Sequence, residues 1–149
     1  MNKTKIAISG IGAVGGYYGG LLAARYKDSE DIDIYFISRG ENLEEIRKNG
    51  IEVKNTFLTI KAKPTLATDN PAEIGPVDYL FCCTKSYDLE ENIVQLTPIT
   101  GPNTVIIPLL NGADIANAYK SYYRTMRFGK DAFTSVPAWS DREEWKSSP

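Results

Sequence analysis

The run Lys5-Ile6-Ala7-Ile8-Ser9 empties into Gly10-Ile11-Gly12-Ala13-Val14-Gly15-Gly16, and that order leaves the chain few ways to begin folding. A short apolar segment feeds a G-x-G-x-x-G turn, which opens a small-residue helix through Ala24; this is the first βα unit of a dinucleotide-binding fold. Gly10 permits the tight turn, Gly12 lacks the Cβ that would hold a pyrophosphate off the backbone, and Gly15 lets the helix pack close to the strand. Free N–H groups and the positive end of the helix dipole then face a diphosphate. A glycine-rich turn without a ligand would read the same in isolation, so the context decides: the motif follows an apolar strand and precedes a helix. The expected fold class is α/β, a Rossmann-type doubly wound, mainly parallel sheet.

Further along, polar residues from Lys27 to Asp31 make a loop, and Ile32-Asp33-Ile34-Tyr35-Phe36-Ile37 reads as the second strand. It ends on Ser38-Arg39, where NAD-preferring versions of this fold carry an acidic residue for the adenosine ribose. A guanidinium suits a 2′-phosphate that a carboxylate would repel, so Arg39 favours NADP; the alternative is a solvated turn arginine. Glu41 to Asn49 carries Leu43 and Ile46 at helical spacing and stops at Gly50. Ile51 to Lys54 and Phe57 to Ile60 flank Asn55-Thr56 and suggest a small hairpin, and Pro64 and Pro71 bracket an irregular crossover.

Asp78 to Thr84 is a continuous apolar run suited to a central parallel strand covered on both faces. Its Cys82 and Cys83 are adjacent, point to opposite faces of a strand, and read as two small buried hydrophobes rather than a redox pair. The strand delivers Thr84 and Lys85 to the rim of the sheet that holds the glycine turn, where a lysine can meet a phosphate, a ribose hydroxyl or a carboxylate. A helix is expected from about Leu89 to Leu96, with Leu89, Ile93 and Leu96 on one face and Pro98 closing it. Thr104 to Leu110 is the next strand, ending early or bulging at Pro108, and it brings Asn111-Gly112 to the same rim. The Asn111 amide offers donors and an acceptor to a ribose or a bound oxo acid, and a plain Asn-Gly turn is the alternative.

Composition narrows the classes. A net charge of −2 in 149 residues gives no basis for nucleic-acid binding through bulk positive charge. No apolar run approaches the ~20 residues that cross a bilayer, and no signal peptide is legible, so a cytoplasmic protein without membrane partners is expected. With no histidine and only the adjacent cysteine pair, no metal site is expected, and the commonest general acid is missing.

Taken together, Gly10-Ile11-Gly12-Ala13-Val14-Gly15, Ser38-Arg39, Thr84-Lys85 and Leu110-Asn111-Gly112 resemble the ketopantoate reductase (2-dehydropantoate 2-reductase) family, over residues 4–118. Their joint order and spacing is the specific part. The resemblance implies a Rossmann domain that binds NADPH, joined to a helical C-terminal domain, reducing a small 2-oxo acid to a 2-hydroxy acid. It implies that Gly10, Ile11, Gly12, Ala13, Val14 and Gly15 hold the diphosphate, that Ser38 and Arg39 hold the 2′-phosphate end, and that Thr84 lies along the cofactor. Lys85 and Asn111 would line the junction of cofactor and substrate. The family's general-acid lysine lies on the helical domain, so no catalytic residue is assigned here and that domain is expected to be absent from this chain.

The expected organisation is residues 1–118 as the NADP-binding domain and residues 119–149 as a divergent tail, packing on the same domain or on a partner chain. Both tryptophans fall in that tail, which shows no clean period. A sheet edge left open there would be covered in a homodimer. Two functional readings follow: the NADPH-binding domain of a 2-oxo-acid reductase, catalytically incomplete alone, and a non-catalytic NADP-binding or sensing module.

Overall fold

The computed structural model describes residues 2–84 and 89–109. Seven strands and three helices follow one another as β1 (Thr4–Ser9), α1 (Ala13–Arg25), β2 (Ile32–Ile37), α2 (Gly40–Asn49), β3 (Ile51–Lys54), β4 (Thr59–Ala62), β5 (Leu66–Thr68), β6 (Tyr79–Cys82), α3 (Leu89–Leu96) and β7 (Val105–Pro108). Five strands form one parallel sheet in the order β5-β2-β1-β6-β7, while β3 and β4 pair separately as an antiparallel hairpin. With the hairpin set aside, the sheet order is the Rossmann 3-2-1-4-5 pattern, and the winding reverses between β1 and β6.

The side-chain period of two explains why both faces of this sheet carry a helical layer. In β1, Ala7 and Ile8 are both fully buried but belong to different cores. Ala7 joins Tyr35, Ile37, Leu80, Cys82 and Ile106 on the face covered by Ile93 and Leu96 of α3. Ile8 joins Ile34 and Phe36 on the face covered by Ala23 of α1 and by Leu43 and Ile46 of α2. The adjacent cysteines divide in the same way, Cys82 into the first core and Cys83 against the second. These apolar strands have no solvent-facing side to alternate toward, which is why they read as continuous runs.

Helix α1 has an unusual buried face, built from Gly15, Gly16, Gly19, Gly20 and Ala23. A Cβ on Gly19 would stand 3.0 Å from the Phe36 ring, and one on Gly20 would overlap Val53 of the hairpin. Glycine in a helix interior costs about 1 kcal/mol relative to alanine; here the cost is offset by two layers closing on one helix, the sheet beneath and the hairpin beside it. The sequence motif explains Gly15 but is silent on this longer stripe.

Three expectations need correcting. The hairpin turn is not the two residues Asn55-Thr56: Lys54 pairs with Thr59, so Asn55 to Leu58 form a four-residue loop. The Asn55 side chain accepts from Phe57 N at 2.9 Å, and Asn55 N donates to the Leu58 carbonyl at 2.8 Å, closing an Asx-type loop that leaves Phe57 in solvent. The segment between Pro64 and Pro71 is not wholly irregular, because Leu66–Thr68 adds β5 to the open side of β2. Third, within the apolar run from Asp78 to Thr84 the strand itself is Tyr79–Cys82, with Asp78 and Cys83 adding single backbone bonds to Lys5 and Ser9. By contrast, β7 does stop at Pro108, whose missing N–H falls on the side away from β6, since Leu109 N still donates to the Cys82 carbonyl at 2.9 Å.

Candidate nucleotide-binding rim

Ser9, Ile37, Cys82 and Pro108 lie in register at the carboxyl ends of four neighbouring strands. Gly10 continues from Ser9 at this level: its N–H donates to the Ile37 carbonyl at 3.1 Å, and Cys83 N donates to the Ser9 carbonyl at 2.8 Å. Held between two strand ends, Gly10 adopts φ +85°, and a Cβ there would sit 2.9 Å from Thr84 N. Both the dihedral and the crowding require glycine.

The glycines that follow serve opposite purposes. A Cβ on Gly15 would overlap the Gly10 carbonyl oxygen and come 3.2 Å from Cys83 Cβ, so Gly15 closes the helix start onto the turn itself. Gly12 has nothing within 4 Å of where a Cβ would be and is exposed. Gly12 is also the N-cap of α1, with no side-chain cap and no acidic residue in the first turn. The first intrahelical bond runs from Gly16 N to the Gly12 carbonyl at 2.8 Å, so the N–H groups of Ala13, Val14 and Gly15 precede the helical ladder. An uncapped helix end with a positive dipole and no carboxylate in its own first turn suits an anion.

Ile11 contributes backbone rather than side chain, since its apolar group lies in the core beneath α1. Its carbonyl accepts from Asn42 Nδ2 at 2.8 Å, and the same amide nitrogen donates to Ser38 Oγ at 2.9 Å. Asn42, in the first turn of α2, thus ties the glycine turn to the end of β2. Sequence reading passed over it, and also over Asn92, whose amide donates to Ser9 Oγ at 3.1 Å from the buried side of α3. A polar residue beside an apolar stripe was the only signal either one offered.

Thr84 sits where expected, against Gly10, and its buried hydroxyl oxygen has no hydrogen-bond partner among the described residues. Such an orphan at a site rim is commonly satisfied by a ligand or by water. Arg39 lies at the end of β2 with its side chain 67% exposed, and its Nη1 is 3.9 Å from Glu91 Oε1 of α3. Burial pushes the Cys83 thiol up to about 11, so it stays protonated at neutral pH and is a poor nucleophile. Lys85 and Asn111 lie outside the described residues. Among the described residues no group of His, Cys, Asp or Glu could hold a metal ion, and no helix is long and apolar enough to cross a membrane.

A parallel sheet whose winding reverses between β1 and β6, with a glycine turn and an uncapped helix at that reversal, defines a Rossmann-type α/β domain. The chain belongs to the ketopantoate reductase family, because the family model described as ketopantoate reductase PanE/ApbA matches residues 6–131. This is an oxidoreductase family. A 2-dehydropantoate 2-reductase of Mesorhizobium japonicum is 32% identical over 108 residues, covering 72% of this chain and 32% of that protein. One from Pyrococcus horikoshii is 34% identical over 109 residues, covering 72% and 33%. The crystal structure of 2-dehydropantoate 2-reductase from Porphyromonas gingivalis W83 superposes with a TM-score of 0.76 at 46% identity, over 81% of this chain and 43% of that one. The chain therefore spans about a third of the length of the curated relatives it matches.

Proposed function

We propose that this chain provides the NADPH-binding part of an oxidoreductase resembling 2-dehydropantoate 2-reductase, acting on a small 2-oxo acid. The observation that carries the reading is the uncapped start of α1 beside an open Gly12, placed at the reversal of the sheet. Residues 1–118 are assigned to the nucleotide-binding unit, and residues 119–149 lie outside the described residues.

In this reading the backbone N–H groups from Gly12 to Gly15 hold the diphosphate, and Gly10 sets the turn that aims them. Ser38 and Arg39 take the 2′-phosphate, where a guanidinium gives charge-assisted hydrogen bonds that a ribose hydroxyl cannot match. Thr84 directs its unpartnered hydroxyl to the nucleotide, and Lys85 and Asn111 complete the junction with the 2-oxo acid. When bound, NADPH supplies the hydride that reduces the ketone carbon.

The family's general-acid lysine is expected on the helical domain, and the chain spans about a third of the length of its curated relatives; the 149-residue chain by itself is therefore expected to bind NADPH without turning it over. Calorimetric titration with NADPH and NADH, followed by addition of ketopantoate while absorbance at 340 nm is watched, tests both halves. Selective NADPH binding without oxidation supports the reading. Consumption of NADPH would show that the chain carries its own proton donor, and failure of both nucleotides to bind would reduce the glycine turn to a structural feature.

A further inference from the structure

The end of β2 and the first turn of α3 wall a shallow groove lined by Arg39, Glu90, Glu91, Val94 and Gln95. Across it, Glu91 Oε1 stands 3.9 Å from Arg39 Nη1, with the two side chains 77% and 67% exposed. The cation expected to select the nucleotide thus shares its space with a carboxylate delivered by a distant helix. Resting on the assignment of Arg39 to the 2′-phosphate, we infer that Glu91 is a specificity-determining residue that lowers the preference for NADPH over NADH.

Two effects act in the same direction. A 2′-phosphate approaching Arg39 brings negative charge next to the Glu91 carboxylate and displaces it from the guanidinium, so part of the attraction is cancelled. A 2′-hydroxyl brings no charge and donates a hydrogen bond to a carboxylate, which is how acidic residues at the end of the second strand hold NAD in this fold. Here the second strand ends on Ser38-Arg39 and supplies no such acceptor. Glu91 supplies it from the opposite wall. One groove then holds a partner for each nucleotide, and Glu91 shifts the balance between them from a position 52 residues beyond Arg39 in sequence.

Both groups are exposed, so the effect is modest and sensitive to salt. In calorimetric titrations, Glu91→Gln is expected to raise the ratio of NADH to NADPH dissociation constants about two- to fivefold, through tighter NADPH binding. The gain shrinks in about 0.5 M NaCl and is lost in the Arg39→Ala background. Glu90→Gln removes the same charge one residue away in the same groove and should give less than half the change. A ratio within about 1.5-fold of the unsubstituted chain, or an equal effect from Glu90→Gln, overturns the inference while leaving NADPH binding as proposed. If the unsubstituted chain binds neither nucleotide, the proposed function falls and this inference with it. An unchanged urea midpoint for the variant confirms that fold is not being measured.

Discussion

The two ends of the parallel sheet differ in where their polar groups go. At the amino end they are consumed within the chain. Lys5 N donates to Asp78 Oδ2 and Lys5 Nζ to the Ile74 carbonyl, both at 2.8 Å; Thr4 N donates to the Asp31 carbonyl at 2.8 Å. Thr104 Oγ1 donates to the Val77 carbonyl at 2.6 Å and accepts from Gly101 N at 2.9 Å, from a fully buried position. At the carboxyl end, among the described residues, the start of α1 has no side-chain cap, Thr84 Oγ1 has no hydrogen-bond partner, and nothing stands where a Gly12 Cβ would be. Buried polar groups cost stability when unpaired, so a protein keeps them unpaired only where something else pairs them. One end of the sheet secures the fold, and the other carries the proposed nucleotide site.

That contrast can be broken or sharpened by substitution. The largest effect is expected from Gly15→Val, which forces side-chain atoms into the Gly10 carbonyl and Cys83. It should lower unfolding free energy by about 3 kcal/mol in urea titration, because the helix start must back away from the turn. Arg39→Ala, at the exposed part of the same rim, should leave the urea midpoint nearly unchanged but weaken NADPH by about 2 kcal/mol and NADH by far less, read by calorimetry. Equal losses for both nucleotides would remove the case for NADPH.

At the amino end the pattern should invert. Thr104→Val strands the Val77 carbonyl and Gly101 N, and about 1.5 kcal/mol of stability should be lost with nucleotide affinity untouched. The smallest effect on the fold is expected from Gly12→Ala, since a Cβ there meets nothing. Stability should change by less than about 1 kcal/mol, the scale of an N-cap preference, while NADPH affinity falls about tenfold as the methyl occupies the diphosphate's approach. If Gly12→Ala binds as well as the unsubstituted chain, the open space is not the phosphate path.

Legibility in the sequence followed the range of the interaction. The bounds of β2 and α3 and the stop of α2 at Gly50 were readable because a bounded apolar run, a period of 3.6 and a positive-φ glycine are local signals. The hairpin was readable as a hairpin but not in its register, because Phe57 and Leu58 look like strand residues while an Asx loop holds them out in solvent. Strand β5 was missed for a related reason: three residues, Leu66 to Thr68, carry too little pattern, and only pairing with Tyr35 to Ile37 makes them a strand.

By itself, then, the sequence determined a βα unit around Gly10 to Gly15, a doubly wound sheet and an arginine at the end of β2, since each follows from dihedral limits, side-chain period or charge type within a few residues. Tertiary structure alone decided that Asn42 would bridge Ile11 to Ser38, that Gly19 and Gly20 would seat Phe36 and Val53, and that Glu91 would face Arg39. Those contacts join residues that the crossovers bring together, and their strength depends on distance and burial that no local pattern encodes.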